Sequence, residues 1–553
     1  MSAKYLNTLM VLVGLVLLSI AADMAHAQAS PESVRDTRKR PNIVMAFADD
    51  WGRYARAYAA FEGSKSLNHL IDTPNFDRIA KEGVIFKNAF VPVPSCTPCR
   101  SSILSGRYFW QTGMGAILPG RWDDSIPTYP LELEKAGYHI GHTYKVWSPG
   151  RPYDAPYGAE RTRYQSAGRS FNSFSQVATR LAPEMGVAKA KESLLDETRQ
   201  NFKSFLNARP DGEPFCYWWG PTNTHRTWTQ GSGNSLWSLN PDDLKGRLPA
   251  FLPDVHEVRE DICDYLGEVL AVDAGLGVLL DELEKIGELD NTLVVVSGDH
   301  GIPGIPRGKC NLYDIGTEVA LLARWPKKIA PGRVVDDFVN LMDLAPTFLE
   351  AAGVPKPEAM TARSLMPVLE SKASGQIDPT RTFVVTGRET HFPSARDGNL
   401  PYPQRAIRTK DFLYIHNFEP DRWPMGNPRG LDDPDTPTPP YEELRDTTFT
   451  AYPDLDASPT KAWMVTNRND ESVREAYELG FGKRPQEELF DLRVDPDQVR
   501  NIADISEYQD TRARLAEQLL EILREQEDPR IVEEPIRFEN PPYTVHISER
   551  VGQ

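Results

Sequence analysis

From about residue 40 to residue 390, continuous apolar runs of strand length alternate with segments of helical periodicity. The runs at 42–48 and 292–297 are typical of strands that are buried on both faces. Residues 258–286 carry apolar side chains at helical spacing, and a shorter helix is predicted at 76–82. This alternation predicts an α/β fold in which a mostly parallel central sheet is sandwiched by helices.

Both predicted strands end in polar residues. Asp49 and Asp50 follow the first strand directly, and Asp299 and His300 follow the second strand after Gly298. In open α/β sheets, ligands gather at the carboxyl ends of the strands. We therefore expect the two polar pairs to converge on one crevice.

The pattern changes in the last third of the chain. A strand-like segment at 405–417 precedes a stretch rich in Pro and Asp at 419–459, and a polar amphipathic helix is predicted at 508–527. Irregular stretches of that length are usually functional or disordered. We predict a larger domain at 38–385 and a smaller α+β domain at 386–553 that carries this long irregular insertion.

The N-terminal residues have the pattern of an export signal. Lys4 precedes an apolar run at 9–20, and the small-x-small sequence at 25–27 offers a cleavage site before Gln28. The apolar run is short for a membrane-spanning helix, which needs about 20 residues. We predict a signal peptide at 1–27 and a periplasmic or secreted mature protein without stable membrane insertion.

Charge and cysteine content narrow the function further. The net charge of −17 argues against a nucleic-acid-binding protein, because such proteins take their affinity from a basic surface. An anionic substrate would need a local basic pocket. The five cysteines are an odd count for an exported protein, and their pairing cannot be assigned from the sequence.

The run from Cys96 to Arg100 reads Cys-Thr-Pro-Cys-Arg. Pro98 stands near the first turn of a helix predicted at 100–104, so Cys96 is expected at a helix N-terminus. That position favours an anionic nucleophile and an anionic ligand together. A redox or zinc Cys-x-x-Cys motif is the alternative, but it would require a different context or a second pair at metal spacing.

This run, with the Ser-Ser-Ile-Leu-Ser-Gly-Arg that follows it at 101–107, resembles the signature of type I sulfatases, which belong to the alkaline phosphatase superfamily. In that family the Cys is oxidised to formylglycine. Segments at 42–51, 298–301 and 488–492 also resemble the family, so the likeness covers nearly the whole mature chain. The resemblance implies an alkaline-phosphatase-like fold and a formylglycine-generating maturation enzyme as a partner.

The resemblance also implies a divalent metal, usually calcium. Asp49, Asp50, Asp299 and His300 would hold it, and the modified Cys96 would complete the shell. Hard carboxylate oxygens suit a hard cation, which offsets charge on the sulfuryl oxygens. His300 departs from the Asn of many relatives, and a nitrogen ligand leaves magnesium, manganese or zinc open.

In the implied mechanism, a hydroxyl of the formylglycine hydrate attacks sulfur, and the resulting ester collapses to the aldehyde and free sulfate. Arg100 resembles the residue that holds this hydroxyl, and Lys145 and Lys309 resemble the sulfate-binding lysines. His225 resembles the leaving-group acid. Ser148 stands where many sulfatases have a His that helps to release sulfate.

Finer likenesses point to the heparan N-sulfatase (sulfamidase) branch, through residues 301–314 and His225 with its neighbour. In the second domain, Arg388, Glu389 and His391 are expected to bind the sugar, although a solvated interdomain loop is an alternative. We expect a sulfated saccharide substrate, with an N- or O-sulfated glucosamine-type unit favoured.

Two other functions stay open. The first is phosphoester hydrolysis in the same superfamily, where Ser, Thr or two metals are common. The second is a catalytically silent relative that only binds sulfated glycans.

Overall fold

The structure is a computed structural model that describes residues 40–433 and 435–546. The predicted signal peptide at 1–27 lies outside the described residues. The described residues from Pro41 onward form one compact unit. No helix within the described segments is both long and apolar enough to cross a membrane.

The central sheet has seven strands among the described residues, in the order β3-β4-β1-β5-β6-β2-β7. They are β1 (Asn42–Ala48), β2 (Val84–Phe90), β3 (His139–Tyr144), β4 (Phe215–Gly220), β5 (Thr292–Gly298), β6 (Leu321–Arg324) and β7 (Arg333–Asn340). Only β6 runs antiparallel to its neighbours in this sheet. The strands at the centre are fully buried, as their continuous apolar sequences predict.

A second sheet of four antiparallel strands lies later in the described chain, in the order β11-β10-β9-β8. Its strands are β8 (Phe383–Arg388), β9 (Gln404–Thr409), β10 (Phe412–Asn417) and β11 (Glu487–Asp491). The segment expected as one strand at 405–417 is therefore a hairpin, because the chain turns between β9 and β10. The predicted α/β fold with a separate α+β part is confirmed; the domain bounds at 385 and 386 stay a prediction.

Helices cover the central sheet and pack on the smaller one. Within the described segments they are α1 (Pro74–Glu82), α2 (Cys96–Ser105), α3 (Tyr129–Lys135), α4 (Phe174–Met185), α5 (Val187–Ala208), α6 (Ser232–Trp237), α7 (His256–Lys285), α8 (Asp314–Thr317), α9 (Leu344–Ala351), α10 (Met366–Glu370), α11 (Tyr441–Asp446), α12 (Pro459–Thr466), α13 (Glu471–Phe481), α14 (Gln509–Glu525) and α15 (Pro529–Val532). The predicted helices at 76–82, 258–286 and 508–527 correspond to α1, α7 and α14.

Helix α7 carries buried acids that accept backbone N–H groups from neighbouring segments. Asp264 accepts from Gly233 at 2.8 Å, and Asp273 accepts from Phe76 at 2.8 Å. Glu268 accepts more weakly, from Ser175 N at 3.2 Å. These bonds satisfy N–H groups at or near the starts of α6, α1 and α4, which have no partner inside their own helices.

The α7 acids predict a pH-dependent stability. Burial raises the pKa of Asp264, Glu268 and Asp273 to about 7 each. Each carboxyl thus binds its proton more tightly in the folded protein than in the unfolded chain. Their contribution is complete below about pH 4 and is lost as the pH rises towards 7. In calorimetry, Asp273→Asn should flatten the fall in Tm between pH 5 and pH 8; the same slope as wild type would contradict this.

Candidate active site

The carboxyl ends of β1 and β5 bring the two polar pairs together. These strands are parallel neighbours, and Ala48 pairs with Gly298. The backbone N–H of Asp50 donates to Asp299 Oδ1 at 2.7 Å. Asp49, Asp50, Asp299 and His300 are all buried. The crevice expected from the two strand-end sequences is therefore present.

Two glycines shape the turn that presents Asp299 and His300. A Cβ on Gly298 would lie 2.0 Å from the carbonyl oxygen of Trp51, and a Cβ on Gly301 would lie 1.7 Å from that of Ile315. No side chain fits at such distances. The Gly-Asp-His-Gly sequence is therefore dictated by close backbone packing on both sides of the two polar residues.

Helix α2 starts at Cys96 and is buried along its whole length. Two of its hydroxyl groups bond within the helix: Ser101 Oγ donates to Thr97 O at 2.8 Å and Ser105 Oγ donates to Ser101 O at 2.6 Å. At the N-terminus of this helix, the Cys96 side chain lies in the crevice, with Sγ 3.4 Å from His300 Nε2. Free backbone N–H groups at this end favour negative charge.

The encoded thiol of Cys96 is poorly suited to act as a nucleophile itself. Burial, together with the negative charge of Asp49, raises its pKa well above the usual range for a thiol. Burial does the same to the pKa of Cys99. The raised pKa disfavours the thiolate, which is the reactive form of a cysteine. The five cysteines are all free and buried, so neither a disulfide nor a reactive redox pair is formed here.

The residues around Cys96 fit a divalent cation. One ligand atom each from Asp50, Cys96, Asp299 and His300 lies within 4.8 Å of the others. His300 Nδ1 donates to Gly301 O at 3.2 Å, which leaves Nε2 with a lone pair that faces the carboxylates. The Cys96 sulfur is the fourth atom of this group. The two buried carboxylates suit a hard cation such as Ca²⁺ or Mg²⁺, and the imidazole nitrogen also suits Mn²⁺ or Zn²⁺.

Asp49 differs from the other predicted ligands, because it is already paired with cations. Its Oδ1 accepts from Lys145 Nζ at 2.6 Å and from Arg100 Nη2 at 3.0 Å. Burial alone would raise the pKa of Asp49, but Lys145 and Arg100 hold that pKa well below its usual range. Asp49 forms a second group of possible ligands with Asp50 and His225. Its role as a metal ligand stays a prediction.

Arg100 forms hydrogen bonds to residues at the carboxyl ends of both β1 and β5. Its guanidinium donates to Asp299 Oδ2 at 2.8 Å and to the carbonyl of Val146 at 3.0 Å, besides its bond to Asp49. The side chain is fully buried and lies 5.1 Å from the ring centre of Phe47. These contacts orient Asp49 and Asp299; a direct bond from Arg100 to the nucleophile stays a prediction.

Lys309 and His225 lie near Oδ2 of Asp50, whereas His300 lies near Oδ1. Lys309 Nζ is 3.0 Å from Asp50 Oδ2 and 3.3 Å from His225 Nε2. His225 Nδ1 donates to Arg226 O at 2.7 Å, so Nε2 is the nitrogen available to a substrate. Sequence reasoning missed Asp456, whose Oδ2 is 3.2 Å from Lys309 Nζ. No motif marks this residue within the Asp-rich insertion.

A cavity of about 720 Å³ opens beside Lys145 and His225. Ser148 lines it, as do two further basic residues, Arg163 and Arg169. The cavity thus supplies the local basic pocket that the acidic chain needs for an anionic substrate. A volume of this size fits a ligand larger than a sulfate ion.

The three residues predicted to bind sugar do not line this cavity. Arg388 Nη2 pairs with Asp454 at 2.5 Å. Glu389 pairs with two arginines, Arg405 and Arg530, at 2.8 and 2.6 Å. His391 accepts from or donates to Ser95 Oγ at 2.8 Å, directly before Cys96. All three side chains are buried, so their contacts favour a supporting role, and sugar binding by them stays a prediction.

Family comparison agrees with this geometry. The Sulfatase family model matches residues 41–354, and the model for the C-terminal part of N-sulphoglucosamine sulphohydrolase matches residues 307–434. The chain is 27% identical to N-sulphoglucosamine sulphohydrolase of Homo sapiens over 524 residues, covering 88% of this chain and 89% of the relative. It is 26% identical to N-acetylglucosamine-6-O-sulfatase of Bacteroides thetaiotaomicron over 490 residues, covering 74% and 84%.

Solved structures share the fold. A protein in complex with its substrate D-glucosamine-2-N,6-O-disulfate has a TM-score of 0.56 and 21% identity, covering 89% of this chain and 99% of that one. The phosphonate monoester hydrolase of Agrobacterium radiobacter has a TM-score of 0.57 and 17% identity, covering 88% and 96%. At such identities the likeness shows the fold alone. The Sulfatase model, however, spans more than half of the chain, and the matched residues include Cys96 and its neighbours from Asp49 to Lys309. On this ground, the chain belongs to the sulfatase family.

Proposed function

We propose that this sulfatase hydrolyses the sulfate ester or sulfamate of a sulfated carbohydrate, with an N- or O-sulfated glucosamine unit as the favoured substrate. The observation that carries the proposal is the pair of buried ammonium groups beside Cys96, with Lys145 on Asp49 and Lys309 on Asp50. They hold positive charge on two sides of the position where sulfate would react. Preorganised cations of this kind stabilise developing negative charge better than water does.

Two groups would complete the site. Formylglycine made from Cys96 would supply a hydroxyl nucleophile, and a divalent metal, with calcium favoured, would supply positive charge that offsets the charge on the sulfuryl oxygens. Asp50, Asp299 and His300 are the residues placed to hold the metal, with the converted Cys96, and Asp49 lies next to them.

His225 is suited to protonate the leaving group. The carbonyl of Arg226 accepts its Nδ1–H, and this bond fixes the orientation of the ring. Nε2 lines the cavity beside Lys309, where a proton on it can pass to the leaving group. The same nitrogen, once it has lost the proton, is a base within the site, a role that Ser148 cannot fill.

The sulfate-binding role of Lys145 predicts a large loss of activity on truncation. Lys145→Ala should lower kcat/KM for sulfate release by about 10²- to 10³-fold, as expected when one charged transition-state contact is removed. Lys135→Ala, which truncates an exposed lysine on α3, is the matched control and should keep wild-type rates. A Lys145→Ala enzyme that differs only in KM would show that the lysine binds substrate without stabilising the transition state.

A panel of sulfated sugars tests the substrate. The names of the relatives suggest N-sulfoglucosamine, N-acetylglucosamine 6-O-sulfate and D-glucosamine-2-N,6-O-disulfate. Free sulfate should be released from at least one of them at a kcat/KM above that for an aryl sulfate. Activity on aryl sulfates alone would contradict the carbohydrate substrate.

Hydrolysis of a phosphonate or phosphate monoester is the second candidate, because a phosphonate monoester hydrolase shares the fold. The lysines favour sulfate chemistry with one metal. Asp49, Asp50 and His225 are close enough to hold a second cation, but Lys145 and Lys309 already contact those carboxylates. A higher kcat/KM for phenyl phosphonate than for every sulfate ester would reverse the assignment.

We further propose export and maturation as the sequence indicates: a signal peptide at 1–27, a periplasmic or secreted location, and conversion of Cys96 by a formylglycine-generating enzyme. Fractionation of the native host, followed by N-terminal sequencing of the exported protein, tests the location. An N-terminus near Gln28 is the expected result, and a cytoplasmic protein that still begins at Met1 would contradict it.

A further inference from the structure

Lys309 has two carboxylate partners, and only one of them belongs to the crevice at the strand ends. Asp50 Oδ2 lies 3.0 Å from its Nζ on one side. Asp456 Oδ2 lies 3.2 Å from the same Nζ. His225 Nε2, at 3.3 Å, is the third neighbour. The ammonium is buried, so these three contacts, and not water, determine the position of Nζ.

Asp456 is held in place from its N-terminal side. Asp454, two residues earlier, is buried and accepts from Arg388 at 2.5 Å and from Arg396 at 2.7 Å through Oδ2. Its Oδ1 accepts from the backbone N–H of Phe392 at 2.9 Å. Two guanidinium groups and one amide therefore fix the chain just before Asp456.

The chain is fixed equally firmly on the C-terminal side. Ser458 Oγ donates to Gly304 O at 2.7 Å, in the loop that leads to Lys309. The buried Nζ of Lys461 donates to the carbonyls of Leu455 at 2.8 Å and Thr448 at 3.0 Å. A buried amino group that is hydrogen-bonded to backbone carbonyls instead of water requires a defined loop conformation. The segment that carries Asp456 is thus rigid and joined to the Lys309 loop.

We propose that Asp456 is a positioning residue that holds the Lys309 ammonium between Asp50 and His225, an inference that rests on the proposed sulfatase function. With Asp50 as its sole carboxylate partner, the ammonium would be drawn towards that side. A second carboxylate on a rigid segment keeps Nζ in the geometry that a sulfate group needs. Displacement of a reacting or binding group by about 1 Å is enough to cost about 10²-fold in rate.

This inference also gives Arg388 a role. Through its pair with Asp454, Arg388 anchors the segment that brings Asp456 to Lys309. The segment lies beyond both stretches matched by the family models, which end at residues 354 and 434. Part of the site would therefore be built by a region that the family signature does not describe.

The first test compares Asp456→Asn, which removes the charge but keeps the shape, with Glu442→Gln. Glu442 is an exposed acid in the same insertion and serves as the matched control. With D-glucosamine-2-N,6-O-disulfate and 4-nitrophenyl sulfate as probes, Asp456→Asn should lower kcat by about 10- to 100-fold with a smaller change in KM. Asp456→Glu should recover part of the loss. An Asp456→Asn enzyme with the kcat of Glu442→Gln would overturn the proposal.

A double-mutant cycle separates positioning from a general structural effect. In a Lys309→Ala background, Asp456→Asn should change kcat by no more than about twofold, because the residue acts through Lys309. Losses that multiply independently would show that Asp456 acts elsewhere. A cooperative unfolding transition above the assay temperature and equal conversion of Cys96 in all variants are the controls for folding and maturation.

Crystal structures of the wild type and of Asp456→Asn provide a readout that does not depend on activity. Lys309 Nζ should leave residue 456 and move towards Asp50 in the variant; an unchanged Lys309 would refute the positioning role. If the wild type releases no sulfate from any probe, the proposed function fails, while the structural comparison still decides whether Asp456 positions Lys309.

Discussion

Replacement of Cys96 with Ser is expected to lower kcat for sulfate release by about 10⁴-fold or more, the scale seen when a catalytic nucleophile is removed. Ser is close to Cys in size, so the buried start of α2 should keep its structure. A serine, however, offers a single hydroxyl, whereas an aldehyde hydrate offers two, and the second is needed to expel sulfate. The variant should therefore complete at most one turnover per molecule.

Quenched-flow and steady-state assays of sulfate release measure this directly. Cys263→Ser is the control, since Cys263 is a buried thiol on α7 outside the crevice. It should retain the wild-type rate as long as it folds. A Cys96→Ser enzyme that turns over repeatedly within tenfold of the wild-type rate would contradict a role for converted Cys96.

Removal of the divalent cation is expected to abolish activity and to lower the stability of the protein. Asp50 and Asp299 are buried close together, and a cation that binds only the folded state stabilises it by about 2.7 kcal/mol at a concentration 100-fold above its Kd. Dialysis against a chelator should therefore lower Tm by a few degrees, and added Ca²⁺ should restore both Tm and sulfate release.

Two buried acids provide matched variants for this measurement. Asp299→Asn removes a ligand and should eliminate the increase in Tm on addition of Ca²⁺. Asp454→Asn disrupts a buried ion pair outside the metal group and should lower Tm while keeping the Ca²⁺-dependent increase. A Tm that does not respond to Ca²⁺, Mg²⁺, Mn²⁺ or Zn²⁺ in the wild type would refute the metal site.

The sequence predicted the crevice because its determinants are local. Each polar pair follows directly after a continuous apolar run, and parallel strands place such ends along one edge of the sheet. The Gly-Asp-His-Gly turn is recognisable as a short motif, but the close approach of Trp51 and Ile315 that requires its glycines is visible only in the structure. The pattern thus located four of the residues around Cys96.

The rest of the site depends on contacts between distant parts of the chain. Arg388 meets Asp454 across 66 positions, and His391 meets Ser95 across 296. No periodicity or motif encodes such pairs, so exposed and buried polar residues look alike in the sequence. For the same reason, the sequence does not reveal that Arg388 and Glu389 lie in buried ion pairs, and it gives no signal for Asp456.

The conversion of Cys96 is the central claim, and mass spectrometry of the tryptic peptide that spans residues 88–100 tests it most directly. In protein purified from its native host and treated with a thiol-alkylating reagent, we expect an aldehyde at Cys96 and one alkylated thiol, at Cys99. An alkylated thiol at Cys96 in all of the protein would contradict the sulfatase mechanism and would favour a relative that only binds sulfated glycans.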